Sequence, residues 1–327
     1  MAETALITGG ASGIGAALGS ALVRRGADVV LADIDHERGT LIAKTLTQAG
    51  PGHAEAVDLD VRDPHAVADV LAQTHRAYGR LDYLFNNAGI GVGGEPDELL
   101  LDHWNRAIDV NLKGVIHGCH AAYPLMTEQG FGHIVNTASL AGLAPVPGWL
   151  APYSTTKFAV VGLSLALRAA LADSGVQVHA VCPGFIDTPI LDKKGPEDLP
   201  IPPSVANSPT LRANLATFKI KAYPADRLAE DVLTAIAKNS PIITAPRSAH
   251  IQWLLWRLAP RVSLQYSKKM TRLFRDVRES DVREARQTRS PQSPDPNGDP
   301  TRVADGDRVW PEMSEGRSRG LQAVLTR

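Results

Sequence analysis

Short apolar runs alternate along this chain with longer stretches in which apolar residues recur at helical spacing. The short runs are apolar throughout, as is typical of strands whose two faces are both covered by helices. Strands are predicted at 5–7, 29–32, 83–85, 133–137, 176–181 and 242–244. Crossover connections between such strands predict an α/β fold with a doubly wound parallel sheet, which binds ligands at the carboxyl ends of its strands.

The composition changes twice toward the C-terminal end. Several prolines interrupt a polar segment at 189–224, within a domain predicted to span 1–247. Apolar residues then recur at helical spacing between 251 and 277, with basic residues among them, and predict an amphipathic helical extension over 248–280. The remainder, 281–327, contains a proline-rich stretch with almost no apolar residues and is predicted to be disordered.

Composition and charge restrict the class of protein. The 327 residues are 44% hydrophobic, enough for one large core, and 34 basic against 35 acidic residues argue against nucleic-acid binding. Two cysteines are too few for a disulfide framework, and no secretion-type leader precedes the first strand, so we expect a cytoplasmic protein. The extension is too short and too charged to span a bilayer. Peripheral contact of 251–277 with an anionic membrane, or packing on the domain or a second subunit, both stay open.

A glycine-rich turn, Thr8-Gly9-Gly10-Ala11-Ser12-Gly13-Ile14-Gly15, joins the first strand to the first helix. Backbone N–H groups at a helix start face an incoming pyrophosphate, which suits a dinucleotide. Asp33 ends the next strand, where its carboxylate can accept hydrogen bonds from both adenosine ribose hydroxyls and would repel a 2′-phosphate. No Lys or Arg lies in the turn to hold such a phosphate, so NAD is preferred to NADP. A solvated strand-end aspartate is the alternative.

Tyr153 and Lys157 are four residues apart and therefore share one face of a helix. A free tyrosine has a pKa of ~10, but a cation ~4 Å away at an effective dielectric near 20 contributes about 4 kcal/mol, or roughly 3 pKa units. The spacing thus predicts a phenol that exchanges its proton near neutral pH. A buried structural tyrosine beside a surface lysine is the alternative.

These motifs, in this order, resemble those of the short-chain dehydrogenase/reductase (SDR) family, in its short single-domain branch. The resemblance covers about 2–246 and also includes Asn86-Asn87-Ala88-Gly89, Asn111, Ser139, and Pro183-Gly184 with Thr188 downstream. It implies a Rossmann fold with helices on both faces and an NAD-dependent hydride transfer between the nicotinamide and a secondary alcohol or ketone. It also implies a homodimer or homotetramer.

The resemblance assigns roles to individual positions. Tyr153 would give or take the proton, and Ser139 would hydrogen-bond the same substrate oxygen. Lys157 would lower the tyrosine pKa and hold the nicotinamide ribose, while Asn111 would anchor a water leading from the lysine to solvent. The cofactor contacts implied are Gly9, Ser12, Gly13, Ile14, Gly15, Asp33, Asp60, Val61, Asn87, Ala88, Gly89, Tyr153, Lys157, Pro183, Gly184, Ile186 and Thr188. Asp58 competes with Asp60 beside the adenine, but the acidic–apolar pair Asp60-Val61 fits the family pattern better.

Substrate, metal and turnover are the remaining questions. The resemblance implies that 189–224, within the domain 1–247, is a substrate loop. Its apolar residues favour a bulky apolar alcohol such as a steroid, a retinoid or another lipid-derived alcohol, although they could simply pack on the sheet. His117, Cys119 and His120 share a helix without a carboxylate or further cysteine at ligand spacing, so no metal site is predicted. A nucleotide-binding redox sensor or scaffold without turnover is the alternative function. Such a protein would not need the Ser, Tyr and Lys described above.

Overall fold

The computed structural model describes residues 2–288, and its centre is a seven-stranded parallel sheet. Its strands are β1 (Thr4–Thr8), β2 (Asp28–Asp33), β3 (His53–Asp58), β4 (Tyr83–Asn86), β5 (Gly132–Thr137), β6 (Val176–Val181) and β9 (Ile242–Ile243). Two further strands, β7 (Ile186–Asp187) and β8 (Tyr223–Pro224), pair with each other in a separate two-stranded sheet. The order β3-β2-β1-β4-β5-β6-β9 reverses between β1 and β4. This reversal is the switch point at which such sheets bind ligands. The predicted α/β fold with a doubly wound parallel sheet is confirmed.

Helices cover both faces of the sheet. They are α1 (Gly13–Val23), α2 (His36–Ala49), α3 (Pro64–Tyr78), α4 (Leu101–Ile108), α5 (Gly114–Gln129), α6 (Ala151–Ala170), α7 (Pro203–Ala206), α8 (Leu211–Thr217), α9 (Ala225–Ala237), α10 (Arg247–Leu258) and α11 (Pro260–Thr288). A π-helical turn, Asp109–Lys113, joins α4 to α5. The short helices α7 and α8 belong to the predicted substrate loop.

The core consists of two apolar layers, one on each side of the sheet. Ile7 of β1 belongs to the layer that includes α1 and α9, and its neighbour Leu6 belongs to the layer that includes α3, α5 and α6. Successive side chains of a strand point to opposite faces, so a central strand must be apolar at every position. β3 lies at the edge, where His53 and Glu55 are exposed and Ala54 is buried.

The C-terminal extension packs against the rest of the chain. Ala249 of α10 is buried, Trp253 contacts the second apolar layer, and the Ser267 hydroxyl of α11 donates a hydrogen bond to the Val146 carbonyl over 2.7 Å. The first compact unit of the chain is Met1–Glu284, so the predicted division at 247 does not separate two compact units. α11 continues to Thr288, past the predicted end of the extension at 280; the predicted disordered tail from 289 onward lies outside the described residues.

One helical stretch, Gly148–Ala170, is long and apolar enough to cross a membrane by length and composition alone. It contains α6, which buries Val160, Val161 and Ser164 against the sheet. Core helices of soluble proteins commonly combine this length with this composition, and the contacts with the sheet explain the apolar residues on one side of α6.

The contact between Gly118 of α5 and Asn86 at the end of β4 is tight enough to test the packing of the sheet. A Cβ added at Gly118 would lie 1.9 Å from the Asn86 Oδ1 atom. We therefore expect Gly118→Ala to lower the free energy of unfolding by about 1–3 kcal/mol through overpacking, measured by urea denaturation.

The double variant Gly118→Ala/Asn86→Ala provides the control. Removing the amide makes room for the new methyl group. The double variant should therefore be destabilised by about 0.5–3 kcal/mol less than the sum of the two single variants. Full additivity would show that this contact does not limit the approach of α5 to the sheet.

Candidate active site

The predicted site residues come together at the switch point of the sheet. The glycine-rich turn follows β1, the segment 87–89 follows β4, Ser139 follows β5, and the segment 183–188 follows β6. Because these parallel strands end at the same edge of the sheet, residues far apart in the sequence become neighbours there.

The glycine-rich turn has the geometry of an anion site. Gly9 and Gly13 have φ values of +68° and +52°, which favour glycine, and a Cβ at Gly15 would lie 2.2 Å from the Gly9 carbonyl oxygen. Ser12 precedes α1, yet its side chain makes no capping hydrogen bond, and the first turn of α1 carries no acidic residue. The backbone N–H groups at this helix start are therefore available to a pyrophosphate, and the turn fits a dinucleotide.

Asp33 lies beside this turn. Its Oδ2 accepts a hydrogen bond from the Ala11 N–H over 2.9 Å, and its Oδ1 accepts one from the Asp35 N–H over 3.1 Å. Each carboxylate oxygen keeps a further lone pair, so Asp33 can also accept ribose hydroxyls. The carboxylate is thus placed at the end of the turn that an adenosine would occupy.

The residues expected around the adenine have other contacts. The Asp60 carboxylate forms a 2.5 Å ion pair with Arg62. The hydrogen bonds from Arg62 lower the pKa of Asp60. The Val61 side chain is buried against Gly114, so only its backbone can face a nucleotide. Asp58 ends β3 directly beside Asp33 and is exposed. The choice between Asp58 and Asp60 stays a prediction.

The segment after β4 is tied to the glycine-rich turn by Thr8, which the sequence-based site did not include. The Thr8 hydroxyl oxygen accepts hydrogen bonds from the N–H groups of Asn87 and Ala88, each over 3.0 Å, and the Asn87 amide donates to the Thr8 carbonyl. A Cβ at Gly9 would lie 2.8 Å from the Ala88 Cα. The one sequence feature that could have indicated this role is the position of Thr8 as the first residue of the glycine-rich turn.

Asn111 lies in the π-helical turn between α4 and α5 and is fully buried. Its Oδ1 accepts from the Ile90 N–H over 2.8 Å and its Nδ2 donates to the Ile90 carbonyl over 3.0 Å. A Cβ added at Gly89 would lie 3.2 Å from the Asn111 Oδ1 and 3.6 Å from the Lys157 Nζ. The side chains of Asn111 and Lys157 therefore both lie next to Gly89, and π-helical turns are frequent at functional sites.

Ser139, Tyr153 and Lys157 converge at the ends of β5 and α6. The Ser139 side chain lies close enough to the Tyr153 phenol to oppose the rise in its pKa, and the Lys157 Nζ lies 5.6 Å from the centre of the Tyr153 ring. The buried Lys157 ammonium donates a 2.8 Å hydrogen bond to the Thr137 carbonyl. The sequence gives no indication that Thr137 takes part, because the contact is made by its backbone carbonyl and not by its side chain.

The expected lowering of the Tyr153 pKa is not found in the structure. Removal of the phenol from water raises its pKa, and the hydrogen bond from Ser139 offsets this only in part. Burial also lowers the pKa of Lys157, to about 8. Spacing along a helix places an ammonium beside the phenol, but it does not show that both groups are removed from water.

The segment after β6 closes the site on its other side. Thr188 contacts the glycine-rich turn, since a Cβ at Gly13 would lie 3.1 Å from the Thr188 Cβ. The Pro183 carbonyl accepts a 2.8 Å hydrogen bond from the N–H of Leu140, and the Gly184 N–H donates to the chain near β9. The Ile186 side chain belongs to the core, so only its backbone can face a cofactor.

The substrate loop is fastened to the segment between β4 and α4. The Glu95 N–H donates to the Ser204 hydroxyl over 3.0 Å, and the Ser204 N–H donates to the Glu98 carboxylate over 2.9 Å. Ile190, 37% exposed, lies next to Gly91, two residues beyond Gly89. The loop therefore places an apolar side chain close to the reacting groups.

The histidine and cysteine cluster on α5 has structural partners. His117 Nδ1 contacts the Val61 carbonyl over 2.9 Å, and the Cys119 sulfur lies within hydrogen-bond distance of Asn136. Burial raises the pKa of the Cys119 thiol to about 12. Among residues 2–288, no three His, Cys, Asp or Glu side chains are grouped in a way that could hold a metal ion.

A glycine-rich turn beside a Ser-Tyr-Lys group at the switch point of a doubly wound parallel sheet is an arrangement of the Rossmann type. The profile of the short chain dehydrogenase family matches residues 3–199. The chain belongs to this family, and the predicted resemblance is confirmed.

Individual relatives agree with this assignment. The chain is 40% identical over 199 residues to a 3-alpha-(or 20-beta)-hydroxysteroid dehydrogenase of Mycobacterium tuberculosis, covering 60% of this chain and 74% of the relative. Among solved structures, it resembles a Burkholderia phymatum SDR in complex with NAD (30% identity, TM-score 0.69, 81% and 95% of the two chains covered). It also resembles a Sphingobium yanoikuyae short-chain dehydrogenase in complex with NADPH (27% identity, TM-score 0.65, 80% and 95% covered).

Some relatives are much longer. Probable oxidoreductases of Mycobacterium, 33% identical over 258 residues, match 78% of this chain, which spans only 43% of their length.

Proposed function

We propose that the chain is an NAD-dependent dehydrogenase or reductase that transfers a hydride between the nicotinamide and a secondary alcohol or ketone, with Tyr153 as general acid and base. The observation that carries this proposal is the convergence of Ser139, Tyr153 and Lys157 beside the glycine-rich turn. A sensor or scaffold without turnover would have no use for this group, so the enzyme is favoured.

The side chains divide the proton chemistry among them. When bound, the cofactor supplies or accepts the hydride. In reduction the Tyr153 phenol protonates the developing alkoxide, and the Ser139 hydroxyl donates a hydrogen bond to the same oxygen as its charge grows. In oxidation Tyr153 must first lose its own proton, and the Lys157 cation favours the resulting phenolate. Asn111 fixes the backbone at Ile90 and would anchor a water leading from Lys157 to solvent.

The cofactor contacts follow the same geometry. Gly9, Ser12, Gly13, Ile14 and Gly15 would hold the pyrophosphate, and Asp33 the adenosine ribose. The remaining predicted contacts surround these two groups: Asp60, Val61, Asn87, Ala88, Gly89, Pro183, Gly184, Ile186 and Thr188. Similar solved structures are in complex with NAD or NADPH, so the preference for NAD rests on Asp33.

We infer an apolar alcohol or ketone as substrate, of steroid-, retinoid- or lipid-like size. The support is the apolar lining that Ile190 and Ile201 give to the substrate loop and the similarity to a hydroxysteroid dehydrogenase. A relative named D-beta-hydroxybutyrate dehydrogenase, 33% identical over 201 residues, represents the competing class of small polar substrates. A panel of secondary alcohols of increasing hydrophobicity, assayed with NAD, separates the two classes.

A homodimer or homotetramer is part of this proposal. Phe158 and Leu165 of α6 are 45% and 40% exposed, and Ile116 and Tyr123 of α5 are 41% and 43% exposed. Apolar side chains grouped on the outer faces of two neighbouring helices are typical of subunit interfaces.

Tyr153→Phe should abolish turnover while NAD still binds, because the change removes only the proton carrier. We expect kcat to fall by at least about 10³-fold, a loss of the size that general acid–base catalysis supplies. Steady-state kinetics and cofactor titration by fluorescence measure the two effects. Near-normal turnover by this variant would rule out the assigned mechanism.

Asp33→Ala should weaken NAD binding and narrow the preference for NAD over NADP, since ribose hydrogen bonds and repulsion of the 2′-phosphate are both lost. A loss of about 10-fold in NAD affinity corresponds to one or two hydrogen bonds to a charged group. Asp28→Ala is the matched control, because Asp28 begins the strand that Asp33 ends and so lies at the opposite edge of the sheet. Equal effects of the two substitutions would contradict the role of Asp33.

The pH dependence should differ between the two directions. Because desolvation raises the Tyr153 pKa, kcat/KM for reduction should stay constant through neutral pH and fall in alkaline solution, where the phenol loses its proton. For oxidation kcat/KM should rise over that same range. Lys157→Ala removes the cation and should move the oxidation limb to higher pH. An unshifted limb would mean that Lys157 does not act on the phenol.

A further inference from the structure

Helix α10 exposes its apolar stripe instead of burying it. Ile251, Leu254, Leu255 and Leu258 fall at the spacing of one helical face and are 64%, 40%, 39% and 82% exposed. The opposite face of α10 makes the contact with the domain, through Ala249 and the half-buried Trp253 and Trp256. The extension therefore turns four aliphatic side chains toward solvent, where nothing in the described chain covers them.

The same part of the sequence contains no negative charge. Residues 232–275 include no Asp or Glu, whereas the whole chain has a net charge of −1. Eight basic residues lie there: Lys238, Arg247, Arg257, Arg261, Lys268, Lys269, Arg272 and Arg275. Up to Arg275, which forms an ion pair with Glu95, the extension is thus a cationic region on a protein that is nearly neutral overall; Asp276 and Glu279 follow it.

The basic side chains of α11 occupy the face that points away from the domain. Ser263 and Ser267 are its buried residues, at 7% and 9% exposure. At 100° per residue, Arg261, Lys268 and Arg272 project from the opposite side of the helix, and all three are exposed. An exposed apolar helix face followed by an exposed basic one is the combination that interfacial helices use to bind lipid surfaces.

We propose that α10 and α11 form a docking surface for a bilayer with anionic headgroups. The aliphatic stripe of α10 enters the boundary between headgroups and acyl chains, and the basic face of α11 pairs with lipid phosphates. A second copy docked through the same surface would oppose two cationic regions, which disfavours self-association here. Nucleic acid would pair with the basic residues but would leave the four aliphatic side chains exposed.

Through its buried side, helix α11 contacts the segment next to the candidate active site. Ser267 bonds to the Val146 carbonyl and Thr271 accepts a 3.4 Å hydrogen bond from the Gly148 N–H, both within the segment between Ser139 and Tyr153. On the proposed function, an apolar substrate dissolved in the bilayer would have a short path to the reacting groups. Docking itself does not depend on that function, and binding to vesicles tests it without any turnover.

The test is co-sedimentation of the full chain with vesicles of phosphatidylcholine alone and of phosphatidylcholine mixed with phosphatidylglycerol. We expect binding to the anionic vesicles, weakening as salt is raised. Ile251→Glu/Leu258→Glu should lose binding at least tenfold. Leu41→Glu/Leu101→Glu is the matched control, because these leucines are 66% and 80% exposed on other parts of the surface.

A second pair of variants tests the charges. Lys268→Glu/Lys269→Glu should lower the partition coefficient for anionic vesicles by about fivefold or more per residue, and Lys44→Glu/Arg76→Glu should leave it unchanged. Circular dichroism and thermal melting establish that each variant is folded. The proposal is wrong if the full chain does not bind anionic vesicles at low salt, or if both test pairs bind like their controls. It is also wrong if the Ile251/Leu258 pair alters only the oligomeric state.

Discussion

The close approach of the glycine-rich turn to the strand ends around it is the constraint on which the site depends. Gly15 lies against the Gly9 carbonyl and Gly9 lies against Ala88, at distances that exclude a side chain at either glycine. The Thr8 hydroxyl fastens the segment after β4 to the turn by accepting hydrogen bonds from the backbone N–H groups of Asn87 and Ala88. A ligand can therefore approach the backbone of two strand ends at once, and the rest of the sheet holds those ends in register.

The central strands were predictable because both of their faces are buried. Every residue of β1 is buried, so its sequence is apolar with no alternation, apart from its two threonines. β3 has no such run, because an edge strand with exposed residues such as His53 and Glu55 mixes polar and apolar positions. The order of the motifs also predicted that Ser139, Tyr153 and Lys157 lie together. They do so because the end of β5 and the start of α6 lie at the same edge of the sheet.

What the sequence could not provide is the environment of each group. Spacing puts Lys157 on the face of Tyr153, but burial decides which protonation states are stable, and it raises the tyrosine pKa while lowering that of the lysine. Val61 and Ile186 show the same limitation. Both match positions expected to contact a cofactor, yet both side chains belong to the core, and only the backbone at these positions faces outward. A motif records which residue types recur, but not which of their atoms reach the ligand.

The extension shows the limitation in its strongest form. Helical spacing of apolar residues correctly predicted helices beyond 247, and by itself it favours burial of the apolar face. In α10 the small Ala249 and the aromatic Trp253 make the contact with the domain instead, because a small residue allows the helix to approach closely while the indole fills the remaining space. In α11 serines do the same, with Ser267 donating to a loop carbonyl. The amphipathic pattern therefore describes a surface that the fold itself does not use, which is why its partner has to be sought outside the described chain.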